Sequence, residues 1–447
     1  MRQVNLTEGS IQKAMLQFAF PMICGNLLQQ LYNVVDTLIV GQYLGANALA
    51  AVGSSYTLMT FLTSILLGMC MGSGALFSIR FGEGSQEGLR EDMFLSFVLI
   101  AGFTVIMNII VFLQIDRILS LLSVPEEVYP LMRGYLWIVF FGIGATFFYN
   151  YYASLLRAVG NSLVPLLFLG GAAVINIVLD LFFVLYCKWG VEGAAAATAA
   201  AQWFSGVGLM LYTLICCPDL RVKRRHMGIS VKKVKRIASA SVLTCLQQSV
   251  MNLGILMVQG LVNSFGPVVM AAFAAAVKID SFAYMPLQDF GNAFSTFIAQ
   301  NYGARKEERI RKGTRFAVKS AVIFGLCVSA AVWIFARQLL LIFIHPEETE
   351  ILAVGVSYLR VVGAFYCGIG GLFLLYGLYR AINRPGMSLV LTIISLGTRV
   401  ILAYTLAPID SIGVMGIWWA VPIGWFLADL TGVLYYRMRC RNVSYGN

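Results

Sequence analysis

Residues 44–55, LGANALAAVGSS, return in altered form at residues 265–276 as FGPVVMAAFAAA, and this recurrence predicts the architecture of the chain. The same offset of 221 residues aligns RFGEGSQE at 80–87 with NYGARKEE at 301–308. Later matches follow at an offset of 223, as an insertion of two residues would produce. A repeat of this length indicates that the chain consists of two similar halves.

The composition places both halves in a membrane. Of the 447 residues, 59% are hydrophobic and 12% are charged, and the mean hydropathy is +0.80. Globular domains carry about 25% charged residues. The apolar residues form twelve runs of about 20 residues, which is the length of a transmembrane helix, and they lack the ten-residue alternation of a membrane β-barrel. We therefore predict an all-α polytopic membrane protein with twelve transmembrane helices.

The repeat divides these helices into two pseudo-symmetric six-helix bundles. Because each half has an even number of spans, both halves keep the same orientation and form parallel repeats. The predicted domains are an amino-terminal lobe at 1–216, a basic cytoplasmic linker at 217–236 and a carboxy-terminal lobe at 237–447. Transporters built in this way bind substrate near the midplane and move one repeat against the other.

Basic residues set the predicted topology. With both termini on one side, that side holds 24 of the 32 lysines and arginines, and the opposite side holds 4. The positive-inside rule then predicts that both termini are cytoplasmic, in a multi-pass protein of the plasma membrane. The basic run at 221–236 lies between two spans, so it is interpreted as an anchor to anionic membrane lipid and not as a nucleic-acid site.

Motifs for bond chemistry are missing from the sequence. The nine cysteines include no C-x-x-C pair, and there is no Walker A loop, nucleophile elbow or zinc spacing. We expect no enzymatic activity, no cofactor and no metal cluster. In the second span, Gly68 and Gly72 are four residues apart, a spacing that predicts close helix packing.

A polar stripe marks the first span, predicted at about 14–38, and it runs into the stretch LYNVVDTLIVGQYLG at 31–45. Gln29, Tyr32, Asn33 and Asp36 recur at spacings of three and four, so they share one face of a helix whose other faces are apolar. A carboxylate at bilayer depth costs roughly 2.5 to 3.5 kcal/mol. We therefore predict that the stripe faces the bundle interior and that Asp36 has a function.

Two more spans place oxygens at the same depth. The fifth carries Asn176 and Asp180 one turn apart, and the sixth does the same with Thr198 and Gln202. Two carboxylates in a water-poor site resist double ionisation, so the pair can take a proton. The same oxygens also suit Na⁺. Asn176 and Thr198 alone are equally compatible with hydrogen bonding between helices.

The second half provides an internal control for these residues. Asp36 corresponds to Met257 at offset 221, and at offset 223 the residues Asn176, Asp180 and Thr198 correspond to Arg399, Ala403 and Val421. Since one half folds without these oxygens, their presence in the other half is interpreted as function. Weaker candidates for the substrate cavity are Gln29, Tyr32, Asn33, Gln202, Gln248, Lys278 and Asp280.

Lys278 and Asp280 lie 200° apart on the eighth helix, so we expect them to contact different partners. An internal ion pair and contact with substrate both remain open for these two residues.

Residues 6–53, LTEGSIQKAMLQFAFPMICGNLLQQLYNVVDTLIVGQYLGANALAAVG, resemble the first span and loop of the multidrug and toxic compound extrusion (MATE) family. That family has an aspartate in its first helix, an asparagine and an aspartate four apart in its fifth, and a threonine in its sixth. These fall on Asp36, Asn176, Asp180 and Thr198. The acids that some branches carry in the seventh and tenth helices are missing, which argues against coupling through the carboxy-terminal lobe.

The resemblance implies secondary active export by alternating access of two lobes. A proton or Na⁺ enters through Asp36, Asn176, Asp180 and Thr198, and a small organic compound, often cationic or amphipathic, leaves. We expect a monomer.

Three other functions compete with this one. A flippase for lipid-linked oligosaccharide or peptidoglycan precursors, from the same superfamily, would need basic residues facing its cavity, with Lys278, Arg360 and Arg399 as candidates. A passive channel would need a ring of charges or a glycine-rich filter. An intramembrane enzyme would need a nucleophile with its base.

Overall fold

The structure is a computed structural model that describes residues 4–122 and 124–440. Within these ranges the regular structure is helical and there is no β-strand. The prediction of an all-α fold is therefore confirmed. Long apolar runs form helices here because a helix satisfies all its backbone hydrogen bonds internally, which a bilayer requires.

The first half of the chain contributes eight α-helices, and a segment of π-helix, Leu181–Tyr186, extends the seventh. They are α1 (Ile11–Leu44), α2 (Ala46–Gly82), α3 (Gln86–Leu113), α4 (Ile115–Leu121), α5 (Tyr129–Val139), α6 (Ile143–Ala158), α7 (Leu163–Asp180) and α8 (Gly190–Cys216). A short 3₁₀ segment, Phe140–Gly142, joins α5 to α6.

The second half contributes seven α-helices, again with a π-helical segment, Tyr436–Cys440, at its end. They are α9 (Val231–Asn263), α10 (Pro267–Gly303), α11 (Glu307–Leu340), α12 (Thr349–Gly363), α13 (Tyr366–Ala381), α14 (Pro385–Leu406) and α15 (Val414–Tyr435).

The backbone repeats along with the sequence. Helices α2 and α10 are both 37 residues long and begin 221 residues apart. Left-handed residues, with positive φ, also recur at the two predicted offsets. These pairs are Gly45 with Gly266, Gly84 with Arg305, Gly160 with Asn383, and Gly190 with Gly413. Since few residues adopt this conformation, four matched pairs confirm the internal repeat.

The described residues contain nearly all of the predicted membrane spans, judged by helix length and hydropathy. Ten helical segments are long and apolar enough to cross a bilayer. Taken together as one span, helices α12 and α13, which are bent by 50° where they meet, bring the number to eleven. Helix α1 is not among these, but its 34 residues extend about 51 Å, more than a bilayer needs. With α1 as the twelfth span, the count agrees with the prediction.

The described helices form two compact units. Unit 1 contains residues 4–5 and Phe20–Cys245, and unit 2 contains Leu6–Ala19 and residues 246–440. The first part of α1 therefore groups with the second half of the chain, and the first part of α9 with the first half. The domain boundaries 1–216, 217–236 and 237–447 differ from these units at both places and stay a prediction.

Parts of the basic linker are paired inside unit 1. Arg236 Nη2 lies 2.6 Å from Asp92 Oδ2, and Arg80 Nε lies 3.1 Å from the same oxygen. Lys233 also pairs with Glu91. Asp92 is fully buried, so this cluster attaches the start of α9 to α2 and α3. Some of the basic residues interpreted as lipid anchors thus hold the linker to the protein.

The predicted close packing at Gly68 and Gly72 is confirmed. A Cβ atom at Gly68 would lie 2.6 Å from the Cα of Cys245, and one at Gly72 would overlap the backbone of Ala240. We expect Gly72→Ala to lower the free energy of unfolding by about 1–3 kcal/mol, because backbone atoms have little room to move. Apparent melting temperatures of the purified protein measure this effect.

Gly53→Ala is the matched control, since Gly53 lies in the same helix and a Cβ there meets nothing within 4 Å. This variant should be as stable as the wild type or more stable, by up to about 1 kcal/mol. Equal stability of the Gly72 and Gly53 variants would contradict the close approach of α2 and α9.

Candidate cation-binding site

The polar stripe on α1 faces inward, as predicted. Gln29, Tyr32, Asn33 and Asp36 are all half-buried, and the Tyr32 side chain hydrogen-bonds to Gln29. On other faces of the same turns, the apolar residues Leu31, Val34 and Leu38 are exposed, for example Leu31 at 55%. Helix α1 therefore presents its apolar faces outward and its oxygens to the interior of unit 1.

Helices α7 and α8 present the other predicted oxygens. Asn176 and Asp180 are buried on α7, and Thr198 is half-buried on α8. The Asn176 amide donates to the Thr198 hydroxyl with Nδ2 and Oγ1 3.5 Å apart. The two helices approach closely because the part of α8 around Thr198 is almost all alanine, AAAATAAA at 194–201.

Asp180 stands at a break in helix geometry. It is the last α-helical residue of α7, and the π-helical segment Leu181–Tyr186 follows directly. Single π-helical turns within α-helices occur frequently at functional sites.

The carboxyl groups of Asp36 and Asp180 lie within hydrogen-bonding reach of each other. Yet both oxygens of Asp180 and Oδ1 of Asp36 are buried, and no N–H or O–H of the described residues donates to them. None of the ion pairs among the described residues includes either aspartate. Two carboxyls in contact require a shared proton or a bound cation, since two bare carboxylates repel.

Asn176 adds a fourth oxygen of the same kind. Its Oδ1 atom is buried without a donor, like the three carboxylate oxygens. Unit 1 therefore holds four buried acceptor oxygens around α1 and α7 that lack donors among the described residues. Buried acceptors of this kind are costly unless something positive satisfies them. The residues fit a proton shared by the carboxyls, and they also fit Na⁺, which takes oxygen ligands of these types.

Tyr135 was not predicted. It lies on α5, is 6% exposed, and its side chain hydrogen-bonds to that of Thr198. It also interacts electrostatically with Asp36 and Asp180. The sequence did contain a signal, because the pair Tyr135–Leu136 recurs at offset 223 as Tyr358–Leu359. A tyrosine inside an apolar run is otherwise read as ordinary packing.

The weaker candidates for the substrate cavity do not form one cluster. Gln202 faces the break between α5 and α6, where a side chain at Gly142 would overlap its Oε1. Gln248 is buried in unit 2. Lys278 is exposed, and its Nζ lies 5.8 Å from the ring centroid of Phe343. No ion pair joins Lys278 to Asp280 among the described contacts, so the expectation that they contact different partners is confirmed.

Comparison with known proteins gives a family match. The MatE family model matches residues 21–182 and again residues 240–405, one match in each half. The chain is 29% identical to the probable multidrug resistance protein YpnP of Bacillus subtilis, over 98% of this chain and 97% of that protein. It is also 25% identical to the FAD transporter of Shewanella oneidensis, over 94% and 93% of the two chains.

A solved structure has the same fold. It is the outward-facing conformation of a multidrug resistance MATE family transporter of the MOP superfamily. The TM-score is 0.91, the sequences are 25% identical, and 98% of each chain is covered.

Proposed function

The chain belongs to the MatE family, the multidrug and toxic compound extrusion transporters, and from that premise we propose that it exports organic compounds in exchange for an inward H⁺ or Na⁺. Family members are membrane transporters and not enzymes. We further propose that the protein works as a monomer in the plasma membrane, with both termini in the cytoplasm and no cofactor other than the coupling ion.

One observation supports this proposal above the others. Four buried acceptor oxygens, from Asp36, Asp180 and Asn176, have no donor among the described residues. A cation that binds reversibly would satisfy these acceptors. In alternating access, loading from outside and release inside would drive the exchange of the two lobes.

The available energy sets the scale of export. One proton that enters across about 100 mV and one pH unit releases about 3.7 kcal/mol, enough for a gradient of roughly 500-fold in an uncharged compound. If a monovalent cation leaves for each proton, the voltage contribution cancels. Then one pH unit supports a gradient of about tenfold.

The flippase alternative needs basic residues that face a cavity. Lys278 and Arg360 are both exposed, and each lies over an aromatic ring that is itself about half exposed. The Arg360 guanidinium is 5.0 Å from the ring centroid of Trp333. Of the three cationic candidates only Arg399 is half-buried, so these three residues do not form the basic cavity that the anionic pyrophosphate of such precursors would need.

The proposal is tested in proteoliposomes that contain the purified protein. A fluorescent organic cation and FAD serve as separate test substrates, under a pH gradient alone, a sodium gradient alone, or neither. Accumulation of the organic cation under one gradient, together with accelerated counterflow by unlabelled substrate, supports antiport. Movement that only equalises concentrations under every gradient would indicate a pore. Accumulation of FAD but not of the organic cation would overturn the proposed substrate class.

A further inference from the structure

Unit 2 has a buried acid of its own. Asp280, on α10, is 8% exposed, and its Oδ2 accepts a hydrogen bond from the hydroxyl of Tyr358, on α12, at 3.3 Å. The hydroxyl of Tyr366, on α13, lies beside the same carboxyl group. Asp280 Oδ1 is buried, and no described donor reaches it. Oδ2 therefore accepts from the Tyr358 hydroxyl, whereas Oδ1 and the neighbouring Tyr366 hydroxyl have no hydrogen-bond partner among the described residues.

A guanidinium lies near Asp280 without pairing with it. Arg399, on α14, interacts electrostatically with Asp280, but none of the ion pairs within 4.0 Å in the described residues joins the two. The Nε atom of Arg399 is also buried without a partner. When Asp280 is ionised, the positive charge of Arg399 stabilises it from a distance. When Asp280 is neutral, no direct ion pair is lost, because the two side chains do not form one. Both charge states are thus tolerated, unlike in a buried salt bridge.

The surroundings leave little room for a ligand. Tyr358 and Tyr366 are fully buried, and Phe273, Tyr358 and Trp418 pack ring against ring, with Tyr358 and Trp418 centroids 4.8 Å apart. A hydrated cation or a drug molecule would have to displace these rings. Na⁺ would also be repelled by Arg399. A proton needs no volume, and the available oxygen of Asp280 can receive it.

Titratable groups reach Asp280 from several helices. They are Tyr358 on α12, Tyr366 on α13 and Arg399 on α14, and Tyr284 on α10 itself interacts electrostatically with the two tyrosines. Helix α11, which also packs against α10, adds no titratable group to this set among the described residues. Asp280 is therefore the one acid in this cluster of tyrosines and an arginine.

We infer that Asp280 is a second proton-binding site, in unit 2, that takes up and releases one proton in each transport cycle. This inference rests on the proposed export function. The acids missing from the seventh and tenth spans argued against coupling through the carboxy-terminal lobe. The inference departs from that expectation, because Asp280, in the eighth span, is a buried acid in the same half of the chain. The protein would then import two cations for each substrate, one through each unit.

The number of protons is measured directly. In proteoliposomes clamped at zero voltage, the logarithm of the substrate gradient is plotted against the pH difference, and the slope equals the number of protons exchanged. Asp280→Asn should lower this slope by one, which means that the substrate gradient becomes tenfold smaller for each pH unit. This holds whether unit 1 binds H⁺ or Na⁺. Asp116→Asn is the matched control, because Asp116 is an exposed acid paired with Arg133, and its slope should equal that of the wild type. An unchanged slope in the Asp280 variant overturns the inference.

A second measurement does not depend on transport. Infrared titration of the purified wild type should show a buried carboxyl band that appears and disappears with pH, and Asp280→Asn should remove it. Tyr358→Phe should shift the pH midpoint of that band, since its hydroxyl binds the carboxylate. A band that is unchanged in both variants overturns the inference even if export fails. If Asp280→Asn does not fold, the Tyr358 variant decides alone: a shifted midpoint supports the site and an unshifted one refutes it.

Discussion

Asp36→Asn is expected to abolish cation-coupled accumulation of substrate, while the protein still inserts and folds. The wild type should build a gradient of about tenfold or more per pH unit if the ion is H⁺. In the variant no gradient should form, because a protein that cannot release the ion of unit 1 does not complete the transport cycle, and the step at Asp280 then stops as well. A flux assay in proteoliposomes under the effective gradient measures this loss.

The reason lies in the arrangement of acceptors around Asp36. Its carboxyl group faces that of Asp180, and together they lack a positive partner. An amide at position 36 brings an N–H that can donate to Asp180 permanently, which imitates a site that is always loaded. A site that cannot unload cannot couple an ion gradient to export.

Two observations indicate that the fold survives this change. The repeat-equivalent residue is Met257, which shows that α9 tolerates a neutral side chain where α1 has the acid. Asp36 is also only half-buried, and the amide has nearly the same volume. Met257→Ala is the control and should leave coupled export intact, because Met257 is 44% exposed. Coupled export at the wild-type level by Asp36→Asn would refute the assignment of this site.

Asp180→Asn should cause a loss as complete as that of Asp36→Asn. Both carboxylate oxygens of Asp180 are buried without a donor, so this residue provides half of the four unsatisfied acceptors. An amide there removes the charge and supplies a permanent donor in the same place. The gradient measured under the coupling ion should again fall from at least about tenfold per pH unit to none.

The double variant Asp36→Asn with Asp180→Asn tests whether the acids act as one unit. Groups that bind one ion together are not additive, so the double variant should export no worse than either single variant. Asp116→Asn repeats the same chemical change at an exposed acid and should export normally. Substantial coupled export by Asp180→Asn alone would show that Asp36 binds the ion without it.

The sequence predicted the site on α1, α7 and α8 because helical spacing is regular. Gln29, Tyr32, Asn33 and Asp36 had to share a face, and a carboxylate in lipid had to turn inward. It did not predict Tyr135, since an isolated tyrosine in an apolar run has no spacing partner along its own helix. Its relation to Thr198 depends on the packing of α5 against α8, which no pattern within one helix encodes.

Lys278 and Asp280, in the eighth span, also show what the sequence could predict and what required the tertiary structure. Spacing placed Lys278 and Asp280 on different faces, but it left open which of them was buried. The structure turns Asp280 toward Tyr358 and Tyr366 and leaves Lys278 over Phe343. Burial of one residue and exposure of the other follow from the neighbouring helices, so both could be assigned only in three dimensions.

The amino-acid sequence by itself determined the twelve membrane spans, the two repeats and the inward face of α1, because apolar length, periodicity and internal similarity are properties of a linear chain. The tertiary structure decided which oxygens meet, which remain without donors, and how α1 and α9 divide between the two units. Those features depend on distances between helices far apart in sequence, and these distances are set by side-chain packing such as that at Gly68 and Gly72.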